Sequence, residues 1–368
     1  MKGSYIWKRQ IPFLAEQRVK ERWLLQTEHS VHESEVDVSH GKKLDIARIK
    51  KDWPYQREID MTRQKMGFFI QAADFIPMVK CPVCSAGKDE AEPLVKICGV
   101  EYCQCKRCSH VFAEIFPSPK VTERYYKDNV VEDPYYINPA EIELRLKEIY
   151  LPKLDWIISA YRRLFGQDPL SVLDIGAGAG HFLHGGKQKG LEVAGVELAP
   201  TFAKWCKTHF DIELCQDPSE LQGRRFDLLC TFNVLEHTLD PNRFIQEYRA
   251  FMHKKSLLVV ETPKANSFTT WIQKIFPEEP RGQLVPYEHN HLFTDASLAT
   301  LLFMNGLEVK SVWYFGQDMA ELVLRICAEL DGESGEVMSR FYGTLQQAVD
   351  LSRASDLMMF AATQLEDS

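Results

Sequence analysis

The segment Val172–Phe182, VLDIGAGAGHF, constrains this chain's fold more than any other stretch. An apolar run ends in an acid, and glycine then recurs at every second position before a helical pattern begins. Glycines between a strand and a helix let the backbone approach a ligand closely, and the helix start offers it unpaired N–H groups. From Ser171 onward, strand-like and helix-like segments alternate, the pattern of a parallel sheet covered on both faces. The strands read as SVLDI, LEVAGVE, IELC, FDLLCTF and SLLVVET, with helices near 180–189, 200–209, 241–253 and 265–276. TDASLATLLFMNG is a further helix, capped by Thr294 and ended by Gly306. LEVKSVWYF and MAELVLRICA then read as two strands joined by GQD, an antiparallel pair at one sheet edge, and 334–360 as a closing amphipathic helix.

The part before the sheet is different. Residues 1–78 are polar, with Trp7, Trp23 and Trp53 interspersed, and carry no chemical motif. Helices are expected over Ile11–Gln26 and Ile59–Ala73. Between them EHSVHESEVDVSHGKK reads as an exposed loop, with His29, His32 and His40 facing solvent. Pro139–Phe165 has apolar residues at helical spacing, and Pro152 should bend that helix. The organisation expected is a mainly helical or irregular extension over 1–78, a cysteine module over 79–116 and a linker and lid over 117–170. An α/β domain over 171–330 and a C-terminal helix over 331–368 complete it. The net charge of −8 argues against a general nucleic-acid binder. No apolar run approaches the roughly 20 residues that cross a bilayer, and the first residues lack a signal-peptide pattern, so the expected location is cytoplasmic, away from membranes.

Six of the ten cysteines fall between positions 81 and 108. Cys81 and Cys84 in KCPVCSAG, with Cys105 and Cys108 in CKRCSHVF, form two C-x-x-C knuckles. Two facing knuckles make the four-sulfur tetrahedron of a structural zinc site, which leaves no position for a substrate. Cys103 reads as a non-ligand in the strand entering the second knuckle, although the spacing alone leaves Cys98 and Cys103 as substitutes. Cys206, Cys215, Cys230 and Cys327 read as small core residues.

The turn at Gly176, Gly178 and Gly180 suits either a dinucleotide or S-adenosylmethionine. Glu197, an acid after the second strand, would grip ribose in both. Two residues separate them. A dinucleotide fingerprint wants glycine where His181 stands. Asp174, just before the turn, would repel a pyrophosphate but attract an ammonium or sulfonium. DIGAGAG, then VELAP, then FDLLCTFNVLEHTLDP, in that order and spacing, resembles the class I S-adenosylmethionine-dependent methyltransferases over about residues 171–328. The resemblance implies a Rossmann-like seven-stranded sheet, mostly parallel with its last strand antiparallel. The zinc-ribbon-like module and the N-terminal extension precede it. It also implies a donor site: Asp174, Gly176, Gly178 and Gly180 at the methionine end, and Glu197 on the ribose. Leu198 would lie on one face of the adenine, Asp217 at its amino group, and Asn233 and Val234 beside the sulfonium.

Acceptor residues should lie beyond the carboxyl ends of the strands. Two places qualify: Glu236-His237 after the fourth strand, and PYEHNHLF after the fifth strand's helix. In the second, His289 is the expected base, with Glu288 and Tyr287 beside it; His237 is the further candidate. CPVC…CKRC joined to this fold, with FPSPKVTERYY between, is similar to bacterial zinc-module methyltransferases that C-methylate nucleotide-linked deoxysugars. That resemblance implies a small, sugar-containing acceptor, C- or O-methylation, and a lid containing Tyr125 and Tyr126. The competing readings are an RNA or protein methyltransferase that grips its polymer with the zinc module, and a non-catalytic S-adenosylmethionine-binding protein.

Overall fold

A computed structural model describes residues 18–26, 31–41, 55–128, 137–329 and 342–365. In chain order these form β1 (Arg18–Gln26), β2 (Val31–His40), α1 (Tyr55–Ala72), β3 (Phe75–Pro77), β4 (Ala91–Ile97), β5 (Val100–Cys105), β6 (Val111–Ala113), β7 (Ile115–Pro117) and α2 (Pro119–Lys127). Next come α3 (Ile142–Arg145), α4 (Leu151–Phe165), β8 (Ser171–Ile175), α5 (His181–Gln188), β9 (Glu192–Val196), α6 (Pro200–Phe210), β10 (Phe226–Phe232), α7 (Pro241–Arg249) and β11 (Met252–Pro263). The rest is α8 (Phe268–Ile275), β12 (His291–Leu292), α9 (Asp295–Met304), β13 (Leu307–Phe315), α10 (Asp318–Glu329), α11 (Tyr342–Leu351) and β14 (Leu357–Gln364).

The main sheet has the order β1-β2-β13-β14-β11-β10-β8-β9. β8, β9, β10 and β11 are mutually parallel where they pair, and β14 runs antiparallel between β11 and β13. Alternate residues of one strand enter opposite cores. Leu173, Leu229, Leu258 and Phe360 face one cluster, and Val172, Leu228, Leu257 and Met359 face the other. Each such side chain contributes about 1.5–3 kcal/mol when fully buried. Burial on both faces explains the unbroken apolar runs in these strands.

Local signals set the helix ends. Thr294 caps α9, accepting from Ser297 N at 3.1 Å, and Gly306 leaves it with φ +71°. Ahead of α4 the chain makes a π-helical stretch, Leu146–Tyr150, immediately before Pro152. Proline has no N–H to continue the ladder and crowds the preceding turn, and the wider turn absorbs that.

The structure corrects several expectations. MAELVLRICA is the helix α10, with Met319, Ala320 and Val323 buried at helical spacing, so GQD joins no strand pair. The antiparallel strand is instead β14, within the segment expected to be helical; α11 occupies only Tyr342–Leu351. LMMFAATQ is buried on both faces and shows no alternation, which leaves strand and helix indistinguishable by period. IELC makes one bridge, Cys215 to Val196, rather than a strand. The main sheet has eight strands among the described residues, not seven: β1 and β2 add two, and IELC drops out. Arg18–Gln26 of the expected helix and Val31–His40 of the expected loop over 28–43 are thus the two strands of a hairpin, and residues 11–17, 27–30 and 42–43 lie outside the described residues. Glu21, Trp23 and Leu25 on β1 and Ser34, Val36 and Val38 on β2 turn inward at every second position.

The hairpin is bound to the sheet and its helices. Arg353 pairs with Glu21, Arg163 Nε donates to Asp37 Oδ2 at 3.0 Å, and Trp313 Nε1 donates to Gly41 O at 2.9 Å. His40 stacks on Tyr314 and places Nδ1 3.0 Å from Asp350 O, and His32 lies beside Phe303, so neither is simply solvent-facing. Trp7, His29, Trp53 and residues 334–341 lie outside the described residues, as does the side chain of Cys327. No helix among the described residues is long and apolar enough to cross a membrane.

The cysteine module is a smaller antiparallel sheet of order β12-β6-β5-β4. Its edge strand, His291–Leu292, comes from the loop after α8, so the module is sewn to the carboxyl end of the main sheet.

Candidate active site

β8 ends at Ile175 and the chain turns through Gly176, Gly178 and Gly180, with φ of +74°, +52° and +78°. The three glycines serve different ends. A Cβ at Gly176 would lie 2.4 Å from Val234 Cγ2, and one at Gly180 would lie 2.2 Å from Cys206 Sγ. Those two allow close packing against the loop after β10 and against α6. A Cβ at Gly178 would meet nothing within 4 Å, so this residue faces open space.

Glu197 joins that turn to the start of α6. Its Oε2 accepts from Gly178 N at 2.7 Å and its Oε1 from Ala199 N at 2.8 Å. Burial raises the Glu197 carboxyl above its ordinary range, and these N–H groups oppose the rise. Leu198 beside it is 43% exposed. Asp174 is 2% exposed and its Oδ1 has no hydrogen-bond partner. Burial, reinforced by Glu197 and opposed by Lys153, pushes its carboxyl up to about 8. A buried acid left in this state lacks a cationic or donating partner, so Asp174 and the space at Gly178 fit a ligand with positive charge.

Asn233 adopts φ +53°, donates its N–H to Glu261 O at 2.9 Å and places Nδ2 3.2 Å from Glu261 Oε1. The same Oε1 accepts from Lys153 Nζ at 2.6 Å, a pair almost wholly buried. Lys153 and Glu261 were not among the expected site residues. Glu261 was visible as an acid inside the apolar strand SLLVVET, but nothing local identifies its partner 108 residues away. Asp217 is exposed and caps the turn at Pro218–Leu221, accepting from Ser219 N at 2.8 Å. His181 is packed between Tyr150 and Trp205.

The two acceptor-side candidates are one cluster. Asn290 N donates to Glu236 O at 2.9 Å, and His237 places Nδ1 2.8 Å from Glu288 O. The rings of His237 and His289 meet edge to face with centroids 4.9 Å apart. The expected Glu288–His289 partnership does not form. His289 places Nδ1 2.7 Å from Gln283 O. The Glu288 carboxylate accepts from Tyr125 Oη at 2.7 Å and lies 3.5 Å from Lys65 Nζ. Burial alone would raise Glu288, but Lys65, His237 and Tyr125 outweigh it and hold the carboxyl below its usual range. Burial and the neighbouring His237 take His289 down to about 4, and burial also lowers His237. Tyr287 has φ +72° and packs on Phe69 and Phe75. Burial, with the charges of Glu288, Glu236 and Glu197, pushes the Tyr126 hydroxyl up, and its ring meets that of Tyr125 edge to face. Helix α1 thus brings Lys65 and Phe69 of the extension to this cluster, which its sequence did not indicate.

The cysteine module meets the same loop. Cys81 Sγ lies 3.6 Å from Cys108 Sγ, Cys84 Sγ lies 3.6 Å from Cys105 Sγ, and all four sulfurs fall within 4.8 Å of one another. Four sulfurs at about 2.3 Å from a zinc ion stand about 3.8 Å apart, so the cluster fits that ion. The knuckles repeat one conformation: Ser85 and Ser109, each following its second cysteine, have φ of +58° and +60°. Cys98 and Cys103 lie beside Pro277 O and Glu101 and are outside the cluster. Tyr102 Oη donates to His289 O at 3.1 Å, and His110 Nε2 lies 3.0 Å from His291 Nδ1, fixing the module to the loop.

Residues 153–312 match a family model described as a methyltransferase domain. The chain is 30% identical over 152 residues to a ubiquinone biosynthesis O-methyltransferase from Bradyrhizobium diazoefficiens, covering 38% of this chain and 59% of that protein. It is 27% identical over 128 residues to the mitochondrial enzyme of the same name from Arabidopsis thaliana, covering 30% of this chain and 40% of that protein. The chain spans about three fifths of the length of the first of these relatives. Among solved structures, the plantazolicin methyltransferase BamL with a triazolic desmethylPZN analog and SAH aligns at TM-score 0.44 and 13% identity, over 66% of this chain and 94% of that one. Magnesium protoporphyrin IX methyltransferase from Synechocystis with bound SAH aligns at TM-score 0.42 and 14% identity, over 67% and 98%. Likeness at that level carries no inference about ligand or substrate.

Proposed function

We propose that this chain is an S-adenosylmethionine-dependent methyltransferase acting on a small-molecule acceptor. The observation that carries the reading is the junction of Gly178 and Glu197 beside the unpaired Asp174, within the matched domain. Asp174, Gly176, Gly178, Gly180, Glu197 and Leu198 would hold the donor, with Asp217 at its adenine end and Asn233 and Val234 at its sulfur. Gly176 and Gly180 act there by setting the shape of the turn, and Gly178 by yielding space. The bound donor supplies an electrophilic methyl on a sulfonium. The chain's part is to align it with the acceptor and exclude water.

Activation of the acceptor falls to His237 and His289, whose rings stand together at the end of β10, with Glu288 and Tyr287 holding the loop. The four-cysteine cluster binds a structural zinc ion that orders this loop and does no chemistry itself. An oxygen nucleophile is the reading the matched relatives favour, since those proteins are named as O-methyltransferases. A sugar-containing acceptor rests only on the resemblance in the motifs. The test is transfer of labelled methyl from S-adenosylmethionine to phenols, nucleotide sugars, glycans, RNA and protein in parallel. Labelling of a small hydroxylated acceptor is expected; labelling confined to RNA or protein would refute the reading.

A further inference from the structure

The Glu236 carboxylate is fully buried at the carboxyl end of β10, yet only one of its oxygens is satisfied. Oε2 accepts from Thr262 Oγ1 at 3.2 Å, and Oε1 has no partner. A buried carboxylate oxygen with no donor is unfavourable unless a cation joins it.

His237 and His289 supply what such a cation would need. Each ring places Nδ1 against a backbone carbonyl, of Glu288 and Gln283 respectively. A carbonyl only accepts, so Nδ1 carries the proton in each neutral ring and Nε2 keeps its lone pair. An imidazole whose Nδ1–H is held by a carbonyl is the usual form of a metal-ligating histidine. One carboxylate oxygen of Glu236 and one nitrogen from each ring lie within 4.8 Å of one another. The frame around them is fixed independently. Asn290 bonds Glu236 O and His237 O, His291 Nε2 lies 2.9 Å from Thr238 O, and Tyr102 bonds His289 O.

We propose that Glu236, His237 and His289 bind one first-row divalent cation, separate from the four-cysteine site. Two imidazoles and one carboxylate suit manganese, iron, cobalt, nickel or zinc, whereas magnesium and calcium prefer all-oxygen sites. Three protein ligands leave coordination positions free for an acceptor oxygen or water. The proposal deepens the methyltransferase reading and rests on it for the ion's use. The lone pairs of His237 and His289 hold the ion, and the ion, rather than a histidine base, lowers the pKa of an acceptor hydroxyl. The hydroxyl proton passes to water, the oxygen bonds the methyl carbon, and the S–CH3 electron pair returns to sulfur. Acceptors with an ionisable hydroxyl beside a second oxygen would chelate the ion best.

The experiment is cobalt(II) titration of the full chain with its four-cysteine site already filled by zinc, followed by calorimetry and visible absorption. One further cobalt per chain is expected, with d–d bands and no thiolate charge-transfer band. Glu236→Gln and His289→Ala should each weaken that binding by about tenfold or more, with donor affinity retained. The proposal is overturned if the wild-type chain takes up no cobalt beyond the zinc site, or if both variants bind it as the wild type does. A variant that loses the donor as well has lost its fold, and the wild-type stoichiometry then decides. Failure of the wild-type chain to bind S-adenosylmethionine would instead refute the methyltransferase reading and leave the cobalt result standing.

Discussion

Donor binding should release a proton from Asp174, and the structure gives the size of the effect. Its carboxyl is raised from 3.8 to about 8 by burial and by Glu197, against the pull of Lys153. In the donor-free protein this acid holds its proton more tightly folded than unfolded. Its contribution to stability is therefore complete below pH 3.8 and lost as pH rises towards about 8. A donor whose ammonium and sulfonium lie nearby favours the carboxylate and reverses the balance. At pH 7 a group titrating near 8 is about nine-tenths protonated, so binding should release close to one proton. Affinity should then tighten by about tenfold per pH unit, or about a hundredfold between pH 5.5 and 7.5. Above that range the donor's own α-amino group, with a pKa of about 7.7–8.0, begins to lose its charge. The assay is calorimetry in two buffers of different ionisation enthalpy across that interval, on the wild type and on Asp174→Asn. A flat wild-type profile, or an undiminished slope in the variant, would refute the reasoning.

Other perturbations separate packing from binding. Gly176→Ala should cost about 2–5 kcal/mol in urea unfolding, because a left-handed φ and the Val234 methyl both oppose a Cβ. Gly178→Ala should cost only about 1–2 kcal/mol while weakening the donor, since its Cβ would enter open space; equal stability losses would contradict this division. Glu197→Ala should remove measurable donor binding by calorimetry, and unchanged affinity would rule out the ribose assignment. Lys153→Met should destabilise by about 3–5 kcal/mol, because Glu261 would be left buried without its cation; a shift below about 1 kcal/mol in denaturation would show that the pair is dispensable. Metal analysis should find zinc in the purified chain and one equivalent less in Cys105→Ser, and a folded wild type without zinc would remove the cage.

The sequence by itself determined the parts whose signals are local. The strand–glycine–helix turn, the capped helix at Thr294 and each single C-x-x-C knuckle are built from residues a few positions apart, and Glu197 follows Gly178 at a spacing of 19 residues, within one strand–helix–strand unit. Propensity and spacing therefore carried them. It also placed Glu236-His237 and Tyr287-Glu288-His289 beyond the strand ends, but as alternatives. Only the tertiary structure decided that they are one cluster, that Glu288 serves Tyr125 and Lys65 rather than His289, and that the N-terminal hairpin is two strands of the main sheet. Those outcomes depend on pairings across 50 to more than 300 residues, such as His237 with Glu288 and Glu21 with Arg353. β14 shows why such pairings escape a local reading. A strand covered on both faces has no polar side to mark its period, and its neighbours, not its own residues, make it a strand.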